Sequence, residues 1–159
     1  MTLKLNRTSV MWGGLFLFFF ALSLALFLLF ADNHQEVVLF FPNDSNHRLT
    51  GESRVIPRHG TIEENLTTLV DGLILGPEKL QHDRALPRAT QIRSLMLRKG
   101  VLYIDFSPDI LFPEQETSLG FIESLTAVKK TITFNYPEID RILITVDGQE
   151  PKSEIHANN

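Results

Sequence analysis

Residues Val10 to Ala31, VMWGGLFLFFFALSLALFLLFA, carry no charge, and only Gly13, Gly14 and Ser23 interrupt their apolar character. Any fold must first accommodate this run. As an α-helix rising about 1.5 Å per residue it reaches about 33 Å, enough to cross a hydrocarbon core of about 30 Å. A helix buried in a small soluble domain keeps a polar stripe, and this run has none. Its thirteen Phe and Leu residues favour insertion by on the order of 4 to 8 kcal/mol, at about 0.3 to 0.6 each. The expectation is a transmembrane helix over 10–31.

Lys4 and Arg7 precede the run, whereas Asp32 and Glu36 follow it. The bias of basic residues holds 1–9 in the cytoplasm and sends 32–159 across, giving a single-pass protein of the cytoplasmic (inner) membrane. The competing arrangement is a cleaved signal peptide, whose apolar region runs only about 7 to 15 residues. The run here is longer. It ends Leu29-Phe30-Ala31, with bulky Leu29 where a cleavage site prefers a small residue, and a cut after Ser23-Leu24-Ala25 would leave an apolar new terminus. An uncleaved anchor is the expectation.

The chain has no cysteine, so a lipid-modified cysteine, disulfides, thiol catalysis and cysteine metal sites are all excluded. The 159 residues include 15 basic and 19 acidic side chains. Both basic residues before the span fall outside the exported part, which therefore has 13 basic against 19 acidic groups, net −6. Such a domain is a poor match for nucleic acid or anionic lipid, where phosphate contacts dominate affinity. The remaining length suits one compact domain, expected over 36–149, with a frayed tail over 150–159.

Val37-Val38-Leu39-Phe40-Phe41, closed by Pro42-Asn43-Asp44, reads as a strand buried on both faces. Leu49 to Pro57 supplies a weaker second strand, which Pro57 limits to an edge. Thr61-Ile62-Glu63-Glu64 is a capping box, and Ile62, Leu66, Leu69, Val70 and Leu73 follow on one helical face. Gly76-Pro77 ends that helix. Residues 78–90 read as a loop. Gln91 to Arg98 and Val101 to Phe106 read as a hairpin turning at Lys99-Gly100. In its second strand the face of Leu102, Ile104 and Phe106 is the core side. A second helix is expected from Thr117 or Ser118, with a stripe of Phe121, Leu125, Val128 and Ile132 widened by Ile122. Its last turn is blurred by the β-branched Thr131-Ile132-Thr133. Arg141 to Val146 is the final strand, ended by Asp147-Gly148. This order predicts an α/β (α+β) fold behind the anchor: a two-layer sandwich, two helices on one face of a mixed sheet of about four to five strands.

With these elements in place, residues 37–148 resemble the GerMN domain, named from spore germination and sporulation proteins. The resemblance runs through VVLFFP, LVDGLILGP, LPRAT, VLYIDFSPDI, TITFNYPEIDRI and ITVDG. It implies an extracytoplasmic envelope module without known catalysis, similar to the ring-building modules of secretion and sporulation machines. Many relatives are lipoproteins and some carry two copies. This chain has one copy behind a membrane span.

Candidate chemistry is sparse. Asp105, Asp109 and Glu114 form the nearest thing to a catalytic cluster, because paired carboxylates can hydrolyse glycosides when their environments split their pKa values. Asp109 beside Pro108 suits a turn, and Asp105 alternates onto the face opposite Leu102 and Ile104. His34, His47, His59, His82 and His156 occur singly, without the i, i+4 spacing of a zinc helix. No G-x-S-x-G setting or glycine-rich phosphate loop is present. Gly13-Gly14 is adjacent rather than spaced for helix dimerisation. Arg54, Arg58, Arg84, Arg88, Arg93 and Arg98 form a sparse basic series that reads first as solvated surface and second as a patch for an anionic polymer or another subunit.

The reading from sequence is a noncatalytic membrane-anchored module for protein assembly, self-association or peptidoglycan binding, without cofactor or metal. The alternative is a cell-wall hydrolase using Asp105, Asp109 or Glu114. Nucleic-acid binding of the KH type is a third class, disfavoured because no GXXG loop is found and the domain faces outward.

Overall fold

The apolar run folds as one helix, α1 (Arg7–Leu29). This is the one helix long and apolar enough to cross a membrane among the described residues, and the side chains of Val10 to Phe27 are all exposed. The structure, a computed structural model, describes residues 7–29, 33–113 and 116–151. The chain divides into two units, one ending at Asn33 and the other starting at His34.

In the second unit, β1 (His34–Pro42) pairs antiparallel with β2 (Leu49–Pro57). The strand β1 is longer than the expected 37–41, because the polar His34-Gln35-Glu36 pairs with Val55-Ile56-Pro57. Then come α2 (Ile62–Leu75), β3 (Ile92–Arg98), β4 (Val101–Phe106), α3 (Phe121–Asn135) and β5 (Arg141–Val146). The hairpin β3–β4 turns at Lys99 and Gly100, with φ of 49° and 77°. Two consecutive positive φ angles define a type I′ turn, which matches the twist of the strands it joins. After the α3 crossover, β5 lies parallel to β4, giving the order β3-β4-β5.

Helices and strands therefore form the expected mixed α/β fold, but the five strands are split into a two-stranded and a three-stranded sheet. The reason lies at the open side of β1. Asn135 of α3 accepts from Val38 N–H at 2.9 Å and donates to Val38 O at 2.7 Å, while Thr131 Oγ1 accepts from Phe40 N–H at 3.1 Å. A helix's side chains occupy the positions that another strand would take. The edge is closed without extending the sheet.

One apolar core joins the layers. It takes Val37, Leu39 and Phe41 from β1, the α2 stripe Leu66, Leu69, Val70 and Leu73, and Leu102, Ile104 and Phe106 from β4. From α3 it takes Leu125, Val128 and Ile132. The loop 78–90 adds fully buried Ala85 and Leu86, which helical or strand periodicity does not flag. Two details of α3 differ from the sequence reading. The helix starts at Phe121 with Gly120 as its N-cap, because Thr117 is spent bonding Leu119. Ile122 is exposed, so it does not widen the stripe. The β-branched Thr131-Ile132-Thr133 stays helical, held partly by the bond from Phe40 N–H to Thr131.

Candidate functional site

Asp105 sits on β4, where its Oδ1 accepts from Thr145 Oγ1 at 2.7 Å and from Gly148 N–H at 2.8 Å. The Thr145 bond is the main cause of a carboxyl held below its ordinary range. That is the wrong direction for a general acid, which needs a raised pKa. Asp109 Oδ2 accepts from Ser107 Oγ at 2.8 Å in the short 3-10 turn after β4. Glu114 lies outside the described residues. Asp105 and Asp109 thus each hold local structure, and no hydrogen bond joins them.

The histidines are equally dispersed. His34, His47 and His59 are exposed, His82 is buried, and His156 lies outside the described residues. Among the described residues no group of three or more His, Asp or Glu side chains is placed to hold a metal ion. The arginine series does not form a patch either. Arg54 and Arg84 turn inward to the last turn of α2, Arg54 donating to Gly72 O and Gly76 O and Arg84 to Ile74 O and Leu75 O. These two cations satisfy carbonyls left open at a helix C-terminus and complement its dipole. Arg93 pairs with Asp147. Arg58, Arg88 and Arg98 remain as exposed residues.

The most heavily bonded polar group is Glu52, a residue the sequence reading did not single out. It is 1% exposed on β2 and accepts from Arg54, from the backbone N–H groups of Glu78 and Lys79, and from His82 Nδ1 at 3.1 Å. An ionised carboxylate only accepts, so His82 is the donor of that bond. Burial pushes the Glu52 carboxyl up, but the Glu78 amide, Arg54, Lys79 and His82 together outweigh it and hold the pKa at about 2. Phe41 stacks beside His82, and the Arg54 guanidinium lies 5.3 Å from the Phe41 ring centre. The cluster ties β2 to α2 and to the loop after it. The available signal was alternation, since Glu52 and Arg54 share their strand face with the apolar Ile56.

What remains exposed is the outer face of the three-stranded sheet. Met96, Tyr103 and Leu143 stand directly across from one another on β3, β4 and β5. Met96 and Tyr103 are 47% and 42% exposed. The next row toward the β3–β4 turn is Arg98, Val101 and Arg141. Among the described residues neither α2 nor α3 covers this face, because their buried apolar side chains join the core on the other side.

A second open feature lies between α2 and β3. Thr67, Asp71 and Ile74, one face of α2, form one wall of a groove of about 430 Å³, and Thr90, Arg93 and Leu95 lie along the other. Asp71 has no hydrogen-bond or ion-pair partner among the described residues, and partial burial raises its carboxyl. Thr90, 3% exposed, keeps a hydroxyl with no hydrogen-bond partner.

The family model for the Germane domain, described as sporulation and spore germination, matches residues 38–152. Among solved structures, the first GerMN domain of the sporulation protein GerM from Bacillus subtilis matches with a TM-score of 0.55 and 17% identity, over 74% of this chain and 86% of that one. The tandem GerMN domains of the same protein match with a TM-score of 0.57 and 14% identity, over 74% of this chain and 40% of the tandem. A Clostridium perfringens protein classed as a lipoprotein matches with 23% identity and a TM-score of 0.46, over 74% and 77% of the two chains. No curated protein sequence matches the chain significantly.

Proposed function

Because this chain belongs to the Germane family of sporulation and spore germination domains, we propose that it is a noncatalytic envelope module that docks a protein partner. In this reading α1 stays in the cytoplasmic membrane, with residues 1–9 inside and the domain outside. The bare sheet face carries the proposal: Met96, Tyr103 and Leu143 form one apolar row with Arg98 and Arg141 beside it. Interfaces are enriched in Tyr, Met and Arg relative to ordinary surface. The Asp105 carboxyl, tied to Thr145 and Gly148 and lowered by the Thr145 bond, is unsuited to the general-acid role that the hydrolase alternative needs.

The test places a photo-crosslinking residue at Tyr103 or at the exposed Thr126 of α3, in the full chain in its own membrane. Discrete adducts from position 103 and none from 126 are expected. Equal labelling from both positions, or none from 103, would count against docking through this face.

A further inference from the structure

We propose that the groove between α2 and β3 binds an extended peptide segment, which adds to the outer edge of β3 as a strand and places a Lys or Arg side chain against Asp71. This deepens the proposed protein-docking function and rests on it. Strand addition of this kind uses main-chain hydrogen bonds for affinity and side-chain contacts for selection.

The edge is open by construction. A two-residue turn at Lys99-Gly100 makes Arg98–Val101, Met96–Tyr103 and Ser94–Asp105 the pairs that exchange hydrogen bonds, since such pairs alternate along an antiparallel ladder. The bond from Asp147 N–H to Phe106 O confirms the alternation, because it directs even-numbered residues of β4 toward β5. The main-chain groups of Leu95 and Leu97 consequently point away from β4. No other element among the described residues bonds to them. Protein edges are ordinarily guarded by Lys, Pro, a bulge or a covering element. The register of β3 shifts between Ile92 and Ser94, and Arg93 and Arg98 bracket its ends. Leu95-Met96-Leu97 between them has no charge and no proline.

The groove's polar groups define the occupant. Among the described residues Asp71 is the one carboxylate lining the groove and Arg93 the one cation, and Arg93 is engaged by Asp147. An incoming cation would meet a carboxylate that no cation among the described residues pairs with. Thr90 Oγ1 is buried in the same lining with no bond made, and a buried hydroxyl left unpaired is costly until an incoming amide or carbonyl meets it. Ile74, one turn beyond Asp71, offers an apolar contact beside the charge.

The experiment uses the full chain in detergent micelles, isotope-labelled, with three probes. They are an acetylated and amidated heptapeptide alternating threonine and valine with a central lysine, the same peptide with a central glutamate, and a lysine peptide N-methylated at alternate amides. The lysine peptide should slow hydrogen exchange at Leu95 and Leu97 at least about tenfold. The glutamate peptide should bind at least tenfold more weakly, the N-methylated one should give no protection, and Asp71→Asn should erase the preference for lysine. No protection at Leu95 and Leu97 with millimolar lysine peptide would overturn the proposal. So would equal binding of both charges, or self-association through β3 that is indifferent to Asp71. If any of these occurs while Tyr103 still crosslinks specifically in the membrane, only the groove is refuted and docking through the sheet face stands.

Discussion

The outer edges of β1 and β3 each lie beside a helix, and the two helices treat them oppositely. Against β1, α3 presents Thr131 and Asn135, four residues apart on one face, and they bond the main chain of Phe40 and Val38. Against β3, α2 presents Thr67, Asp71 and Ile74, and none of them bonds the strand. The Thr67 hydroxyl donates back to Glu63 O of its own helix, and Asp71 is left without a partner. The contrast extends inward. Glu52, beside β1, has its carboxylate fully answered, whereas Thr90, just before β3, has a buried hydroxyl with no answer. A helix can close a strand edge only when side chains of the right length and polarity sit one turn apart. Where they do not, the edge stays available.

The answered side should be costly to disturb. Glu52→Ala removes the acceptor of a buried cluster and strands Arg54 and two amides, so a loss of about 3–5 kcal/mol in denaturant unfolding is expected. The same carboxylate sets an acid limit. Its folded pKa of about 2 lies below the ordinary 4.5, so the folded state holds fewer protons than the unfolded one. The contribution, on the order of 3 kcal/mol, is present above about pH 4.5 and is lost as pH falls toward 2. Unfolding measured at pH 6 and pH 2.5 should show that loss, and Glu52→Gln should flatten most of it. An undiminished slope in the variant would assign the acid sensitivity elsewhere.

Asn135→Ala orphans both the N–H and the C=O of Val38, and about 2–3 kcal/mol of destabilisation is expected. A thermal midpoint unchanged by this substitution would mean that water closes the edge equally well. A matched pair of substitutions then compares the two regions directly. Thr131→Val removes the acceptor of a buried amide and should cost about 1–3 kcal/mol. Thr90→Val replaces an orphan hydroxyl with a methyl and should be neutral or stabilising by up to about 1 kcal/mol. If Thr90→Val costs as much as Thr131→Val, the groove's hydroxyl is already satisfied and the two edges are alike.

Periodicity made much of this fold legible. The capping box at Thr61 and Glu64, the stripe ending at Leu73 and the alternation of Leu102, Ile104 and Phe106 all depend on neighbours within one element. The division into two sheets was not legible, because it depends on Asn135 meeting Val38 across 97 residues. An Asn near a helix end reads as a surface or capping residue until its partner strand is placed. Glu52 was hidden for a related reason. A charged residue in a weakly apolar strand reads as solvated, and its burial follows from Arg54 on β2 and Glu78, Lys79 and His82 in the loop after α2 converging on it. The arginine series shows the converse. Arg54 and Arg84 read as surface charge but close the last turn of α2. The carboxylates at 105 and 109 looked like paired acids only because they are close in sequence. Thr145, Gly148 and Ser107 claim them one at a time.

Amide hydrogen exchange in the free full-length chain tests the contrast between the two edges most directly. Val38 and Phe40 should exchange as slowly as the core strand amides, while Leu95 and Leu97 exchange at least about a hundredfold faster than Met96 between them. Equal protection at Leu95, Met96 and Leu97 would contradict an open β3 edge, and fast exchange at Val38 would contradict a closed β1 edge.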